Sequence, residues 1–214
     1  MSIVLDKKVG INLSKGSKIS LEKEGKRLEE VCIGLNWGVI KKKSSFFGLI
    51  GGGSDTVDLD GSVTLFNDNK RALETVSYRK LKSSDGSIQH SGDDRSGDTA
   101  GDDGKDNEVI QIILPKVSQD VTQIVFFLNS YKGQDFADIP YSKIRIFEGN
   151  HREVKSVFAT FNLSADPSFA SNVSMIMGKL IRKANGNWEF SAIGEAIEAK
   201  NIDDTIKVIQ QQYL

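Results

Sequence analysis

A chain of 214 residues with 38% hydrophobic content and 11 phenylalanines holds enough apolar material for a sizeable core, which excludes a disordered chain. A formal net charge of -1 lacks the overall basic footprint of a dedicated nucleic-acid binder, so no nucleic-acid partner is expected. With Cys32 the only cysteine, an internal disulfide and a thiolate zinc cluster are both excluded.

The opening residues 1–8 contain no apolar stretch of signal-peptide length, and no later run approaches the ~20 apolar residues that span a bilayer. With the lone cysteine, this leads us to expect a cytoplasmic protein. Short segments of period-two alternation or brief β-branched and aromatic runs follow, each bounded by Gly, Asn, Asp or Ser. Strands are predicted at 11–13, 19–21, 30–35, 62–66, 109–114, 124–128, 143–147, 157–161 and 188–192. Turn chemistry at 67–69, 85–86, 149–150 and 185–187 joins them as antiparallel hairpins. The fold class expected is therefore all-β, a two-sheet antiparallel β-sandwich forming one domain over 1–214. Two short helices are predicted beside it. One opens at Asp166 and Pro167, and the other carries Ile202, Ile206, Ile209 and Tyr213 on one face. Cys32 lies in a strand-like run, where a small buried hydrophobe is the expectation.

Two segments break the pattern. Residues 41–53 combine three lysines, two serines, the apolar run 46–50 and three glycines, too irregular for a strand and too Gly-rich for a helix. This insertion loop reads as a contact element for a membrane surface or a protein partner, with folding back on the sandwich edge as the plain alternative. Its three glycines are not followed by the Lys-Ser or Lys-Thr pair of a phosphate-binding loop.

The other segment is acidic. Asp93, Asp94, Asp98, Asp102, Asp103, Asp106 and Glu108 are separated by four glycines and offset only by Arg95 and Lys105. Repulsion among these carboxylates destabilises a compact loop unless a cation joins them, and hard oxygen ligands on a flexible backbone suit Ca²⁺. A second group, Asp55, Asp58 and Asp60, precedes the strand at 62–66. Spacing by two places Asp58 and Asp60 on one side of an extended backbone, with Leu59 turned into apolar packing. A solvated acidic loop is the alternative, since neither cluster matches an EF-hand or a nonapeptide calcium repeat. His90 adjoins Ser91 without a nucleophile elbow, so a structural hydrogen bond to the loop backbone is expected of it.

The segments 13–16, 34–37, 57–62, 81–94, 177–182, 186–190 and 192–194 resemble those of the TerD family of tellurium-resistance and general-stress proteins. The insertion at 41–53 resembles one in its TerZ-like branch. The resemblance implies a β-sandwich that binds two calcium ions, with Asp58, Asp60, Asp93, Asp94, Asp98, Asp102 and Asp103 as ligands. Glu108 joins this metal set from the acidic run itself. Two departures stand out: Gly38 follows Trp37 where the family usually has Asp, and residues 104–107 are inserted near the second acidic pair. The expected function is a calcium-binding stress or tellurite-resistance protein, acting as a binding or scaffold module rather than an enzyme, with a protein partner in a resistance complex. The alternatives are a metal-dependent enzyme with an open calcium site and a metal-free acidic interaction module.

Overall fold

Alternating β-branched and aromatic residues between Gly- and Asn-rich turns give a chain whose regular structure is mostly strand. The computed structural model describes residues 10–23, 26–41, 54–164 and 167–214. In chain order the strands are β1 (Ile11–Leu13), β2 (Lys18–Ser20), β3 (Glu22–Lys23), β4 (Lys26–Arg27), β5 (Glu30–Trp37) and β6 (Ile40–Lys41). Next come β7 (Ser54–Asp55), β8 (Leu59–Phe66), β9 (Ala72–Val76), β10 (Ile88–His90), β11 (Glu108–Ile113) and β12 (Gln123–Ser130). The chain ends with β13 (Tyr141–Asn150), β14 (Glu153–Ser164), β15 (Ser174–Arg182), β16 (Trp188–Ile197) and the helix α1 (Ile202–Gln212). The first sheet runs β1-β14-β13-β5-β11-β10 and the second β2-β16-β15-β12-β8-β9, with β3-β4 and β6-β7 as small ribbons. Every pairing in the two large sheets is antiparallel except β1 with β14, which is parallel.

The core lies between the sheets. On β5 the alternate residues Val31, Ile33, Leu35 and Trp37 meet Val63 and Leu65 of β8 and Ile124, Phe126 and Leu128 of β12 in one buried cluster. The opposite face of β5 carries Cys32, which packs with Val109 and Phe147 and donates its thiol to the Gly149 carbonyl at 3.3 Å. Burial pushes this thiol up to about 12, with the charges of Glu30 and Asp106 adding, so Cys32 is an inert core group.

The outer face of the second sheet is closed by α1. Ile209 joins Phe66, Val125, Phe127 and Ile176 in a second buried cluster, with Ile202, Ile206 and Tyr213 packed against it. Asn201 caps the helix, its side-chain oxygen accepting from the Asp204 amide at 2.9 Å, and Asp203 and Asp204 complement the dipole in the first turn.

Three strands escape the alternation rule. β9 exposes Leu73 and buries Val76 with partly buried residues between, β10 has only three residues, and β15 interleaves two methionines and Gly178 with its β-branched residues. In the turn at 67–69 the positive φ falls on Lys70, at 59°, and not on the Asn or Asp residues. The helix expected near 166 is a single 3₁₀ turn, Pro167–Phe169, and Asp166 lies outside the described residues. So does the insertion loop at 42–53; at its margins, Lys41 pairs with Ser54 in the β6-β7 ribbon. Among the described residues, no helix is long and apolar enough to cross a membrane.

Candidate metal centre

β8 begins beside a charged corner. Leu59 points into the core while Asp58 and Asp60, on either side of it, are 3% and 5% exposed. The Tyr131 amide donates to the Asp58 carbonyl at 2.9 Å and pins the strand entry. Asp93, on the loop after β10, comes up to this corner, so that one carboxylate oxygen from each of Asp58, Asp60 and Asp93 lies within 4.8 Å of the others. Two cations stand at the rim: Lys132 Nζ is 3.7 Å from Asp58 Oδ2 and Arg95 Nε is 3.9 Å from Asp93 Oδ2. Asp60 has no donor at all among the described residues. Burial pushes its carboxyl up to about 7, with the charges of Glu108, Asp58 and Asp93 adding. Burial likewise raises Asp58, against the pull of Lys132.

The sign of the Asp60 shift gives a test on the metal-free protein. A carboxyl whose folded pKa exceeds its unfolded value near 3.8 holds its proton better when folded. Its contribution to stability is therefore fully present below that value and is lost as pH rises through about 7. Thermal melts in chelator are expected to fall from pH 5 to pH 8, and Asp60→Asn to flatten that slope. An unchanged slope in Asp60→Asn assigns the loss to other groups.

Behind the triad sits a buried clamp. Glu108 shares a face of β11 with the core residues Ile110 and Ile112 and is 0% exposed. Its Oε2 accepts from the Gly61 amide at 2.7 Å and its Oε1 from the Asp94 amide at 3.2 Å. His90 completes the clamp. The Gly92 amide donates to His90 Nδ1 at 3.1 Å, which leaves the proton of the neutral ring on Nε2, 3.1 Å from the Gly61 carbonyl and 3.3 Å from Glu108 Oε2. Gly61 is required here because a Cβ would lie 2.4 Å from Glu108 Oε2 and 2.6 Å from Leu35 Cδ1. One carboxylate thus ties β8 to the acidic loop, and His90 bonds the loop backbone.

The remaining acidic residues point elsewhere. Asp94 Oδ1 accepts from the Ser96 amide and hydroxyl, both at 2.9 Å, and from the Gly97 amide at 3.1 Å. Burial would raise this carboxyl, but these donors leave it below the usual carboxylate value. Asp98 accepts from Asn36 at 3.0 Å, Asn107 at 3.1 Å and the Tyr141 hydroxyl at 2.7 Å. Asp102 accepts from Lys143 at 2.5 Å and from the Gly104 amide at 3.0 Å. Asp103 is exposed and accepts from the Lys105 amide at 2.8 Å. Of the eight metal candidates, Asp58, Asp60 and Asp93 come together, Glu108 stands behind them, and Asp94, Asp98, Asp102 and Asp103 carry hydrogen bonds of their own. Asn36, Tyr141, Lys143 and Arg145 escaped the sequence reading. The signal for the last three was an alternation of polar residues on a strand whose intervening positions are apolar or small.

The three converging carboxylates fit a hard divalent cation. They offer anionic oxygen and converge on one point, with Lys132 and Arg95 as the cations at the rim. A TerD domain model matches residues 9–207. The chain is 34% identical over 194 residues to tellurium resistance protein TerZ of Serratia marcescens, covering 91% of this chain and 94% of that one. It is 33% identical over 206 residues to stress response protein SCP2 of Bacillus subtilis (strain 168), covering 92% of this chain and 98% of that one. The crystal structure of a homologue of telluride resistance protein (TerD) from Streptomyces coelicolor A3(2) superposes with a TM-score of 0.58 at 19% identity, covering 81% of this chain and 92% of that one, and so shares the fold. With the domain matched over nearly its whole length, this chain belongs to the TerD family of tellurium-resistance and stress-response proteins.

Proposed function

We propose that this TerD protein is a cytoplasmic calcium-binding module, acting by binding rather than by catalysis. The observation that carries the reading is the convergence of Asp58, Asp60 and Asp93 with no donor on Asp60. Burial, with the charge of the nearby Asp93 adding, raises Asp58 and Asp60, and a divalent ion at the corner relieves both the burial cost and the repulsion. Asp58, Asp60 and Asp93 would hold the ion. It would supply positive charge at the corner where β8 meets the acidic loop. Glu108 and His90, the groups best placed for acid–base work, are engaged in holding Gly61 and Asp94, which supports a binding role.

Isothermal titration of chelator-stripped protein with Ca²⁺ and with Mg²⁺ tests the reading. Calcium is expected to bind more tightly, because carboxylates on a glycine-rich loop make a large irregular shell while Mg²⁺ demands a small octahedral one and keeps its water. Equal affinities, or calcium binding that survives Asp60→Asn with Asp93→Asn, would overturn it.

A further inference from the structure

The acidic loop has two lobes with opposite surroundings. At the near lobe Asp93 faces two other carboxylates. In the far lobe Asp98, Asp102 and Asp106 recur at every fourth residue, and each meets a donor from every second residue of β13. The Tyr141 hydroxyl donates to Asp98 Oδ2 at 2.7 Å, Lys143 Nζ to Asp102 Oδ2 at 2.5 Å, and Arg145 grips Asp106 through Nε at 3.1 and 3.2 Å and Nη2 at 2.7 Å. Alternate residues of a strand lie on one face about 6.6 Å apart, so these three donors form a straight row on the outer face of the first sheet. Asn36 and Asn107 complete the shell of Asp98, and the Arg145 guanidinium also donates to the Gly104 carbonyl at 3.2 Å.

Gly38 and the segment 104–107 both build this row. At Gly38 a Cβ would lie 2.7 Å from Tyr141 Cε1, so a side chain there would push the tyrosine away from Asp98. Residues 104–107 bring Asp106 to Arg145 and Asn107 to Asp98. Asp106 also rests on Gly34 of β5, where a Cβ would lie 2.2 Å from its carboxylate. Charge-assisted bonds to the ammonium and the guanidinium already neutralise Asp102 and Asp106, and a cation entering the lobe would have to displace both.

We infer that Tyr141, Lys143 and Arg145 stand in for a second cation: a cavity of about 300 Å³ opens in the lobe beside Asp94, Asp98, Asp103 and Asp106, but protein donors already engage these carboxylates and that of Asp102, and the lobe takes no ion of its own. One ion per chain then follows from the calcium reading of the triad, on which only that count rests. Native mass spectrometry and calcium titration of the chelator-stripped full chain are expected to give one ion. Asp60→Asn should abolish it and Asp102→Asn should leave it in place. In chelator, the amides of Gly104 and Lys105 should be protected from hydrogen exchange, and Lys143→Met with Arg145→Met should lose that protection while keeping the ion. Tyr141→Phe, which deletes only a hydroxyl, serves if the double variant does not fold, and should weaken protection with the ion count unchanged. Two ions per chain, with the second lost in Asp98→Asn or Asp102→Asn, would overturn the inference, as would amides unprotected until calcium is added. A chain that binds no calcium at all, with the amides protected in chelator, would sink the calcium reading and leave the donor-filled lobe standing.

Discussion

Trp37→Ala is expected to lower the unfolding free energy by about 3–5 kcal/mol, the range for deleting a large aromatic from a packed core. For a domain of this size that corresponds to a midpoint lower by roughly 6–20 °C. The ring is 0% exposed and lies in the main core cluster. Its Nε1 donates to the Val57 carbonyl at 2.9 Å, and Val57 is itself 0% exposed, so the truncation leaves a buried acceptor without its donor. The backbone of Trp37 holds the acidic loop as well: its amide donates to Asn107 Oδ1 at 2.8 Å and its carbonyl accepts from the Asp98 amide at 3.0 Å. Alanine keeps those two bonds but removes the wall beside Val57, the residue before Asp58. Calcium affinity is therefore expected to fall together with stability. Urea unfolding in chelator and a calcium titration measure the two effects, and a loss under about 1 kcal/mol would show that the core collapses around the gap.

Asp58→Asn with Asp60→Asn is expected to remove most calcium-linked stabilisation. The substitutions keep side-chain shape and delete two of the three charges that converge at the triad. If the native state alone binds the ion, calcium at about 100 times its dissociation constant adds roughly 2.7 kcal/mol. The wild-type midpoint should then rise by about 5 to 10 °C while the double variant gains little. In chelator the order of stabilities reverses, because neutral amides remove the cost of burying charge and the repulsion from neighbouring carboxylates that together raise Asp60. Melts of both proteins in calcium and in chelator read all four values. Should the double variant keep its calcium shift while Asp93→Asn with Asp94→Asn loses it, the ion is not held by β8.

A strand that alternates cleanly, such as β13, was legible because one face is core and the other is not. β15 was not read from pattern, since it is buried along most of its length and methionine and glycine dilute its β-branched residues. At the site, the Asp58–Leu59–Asp60 spacing read directly as two carboxylates on one side of the chain, and the structure places both beside Asp93. The division of the acidic loop was not legible. Asp93, Asp98 and Asp102 look alike in one dimension, and only the fold decides which of them faces carboxylates and which faces the donors of β13. Glu108 misled for a related reason: a carboxylate at the end of an acidic run reads as one more ligand, whereas its place on an inward face of β11 engages both of its oxygens with Gly61, Asp94 and His90.

The two hydrogen bonds of Glu108 reach amides on opposite sides of the corner, one next to Asp60 and the other next to Asp93. A single side chain from a third strand therefore sets how far apart the two acidic segments stand, whether or not anything lies between them. On the calcium reading proposed above, an arriving ion would meet a gap whose width Glu108 limits on one side while the glycine-rich loop adjusts on the other. Its selectivity would then depend on radius as well as charge, much as a partly preorganised macrocycle selects among cations by the size of its opening, and the group that limits that opening need not itself touch the guest.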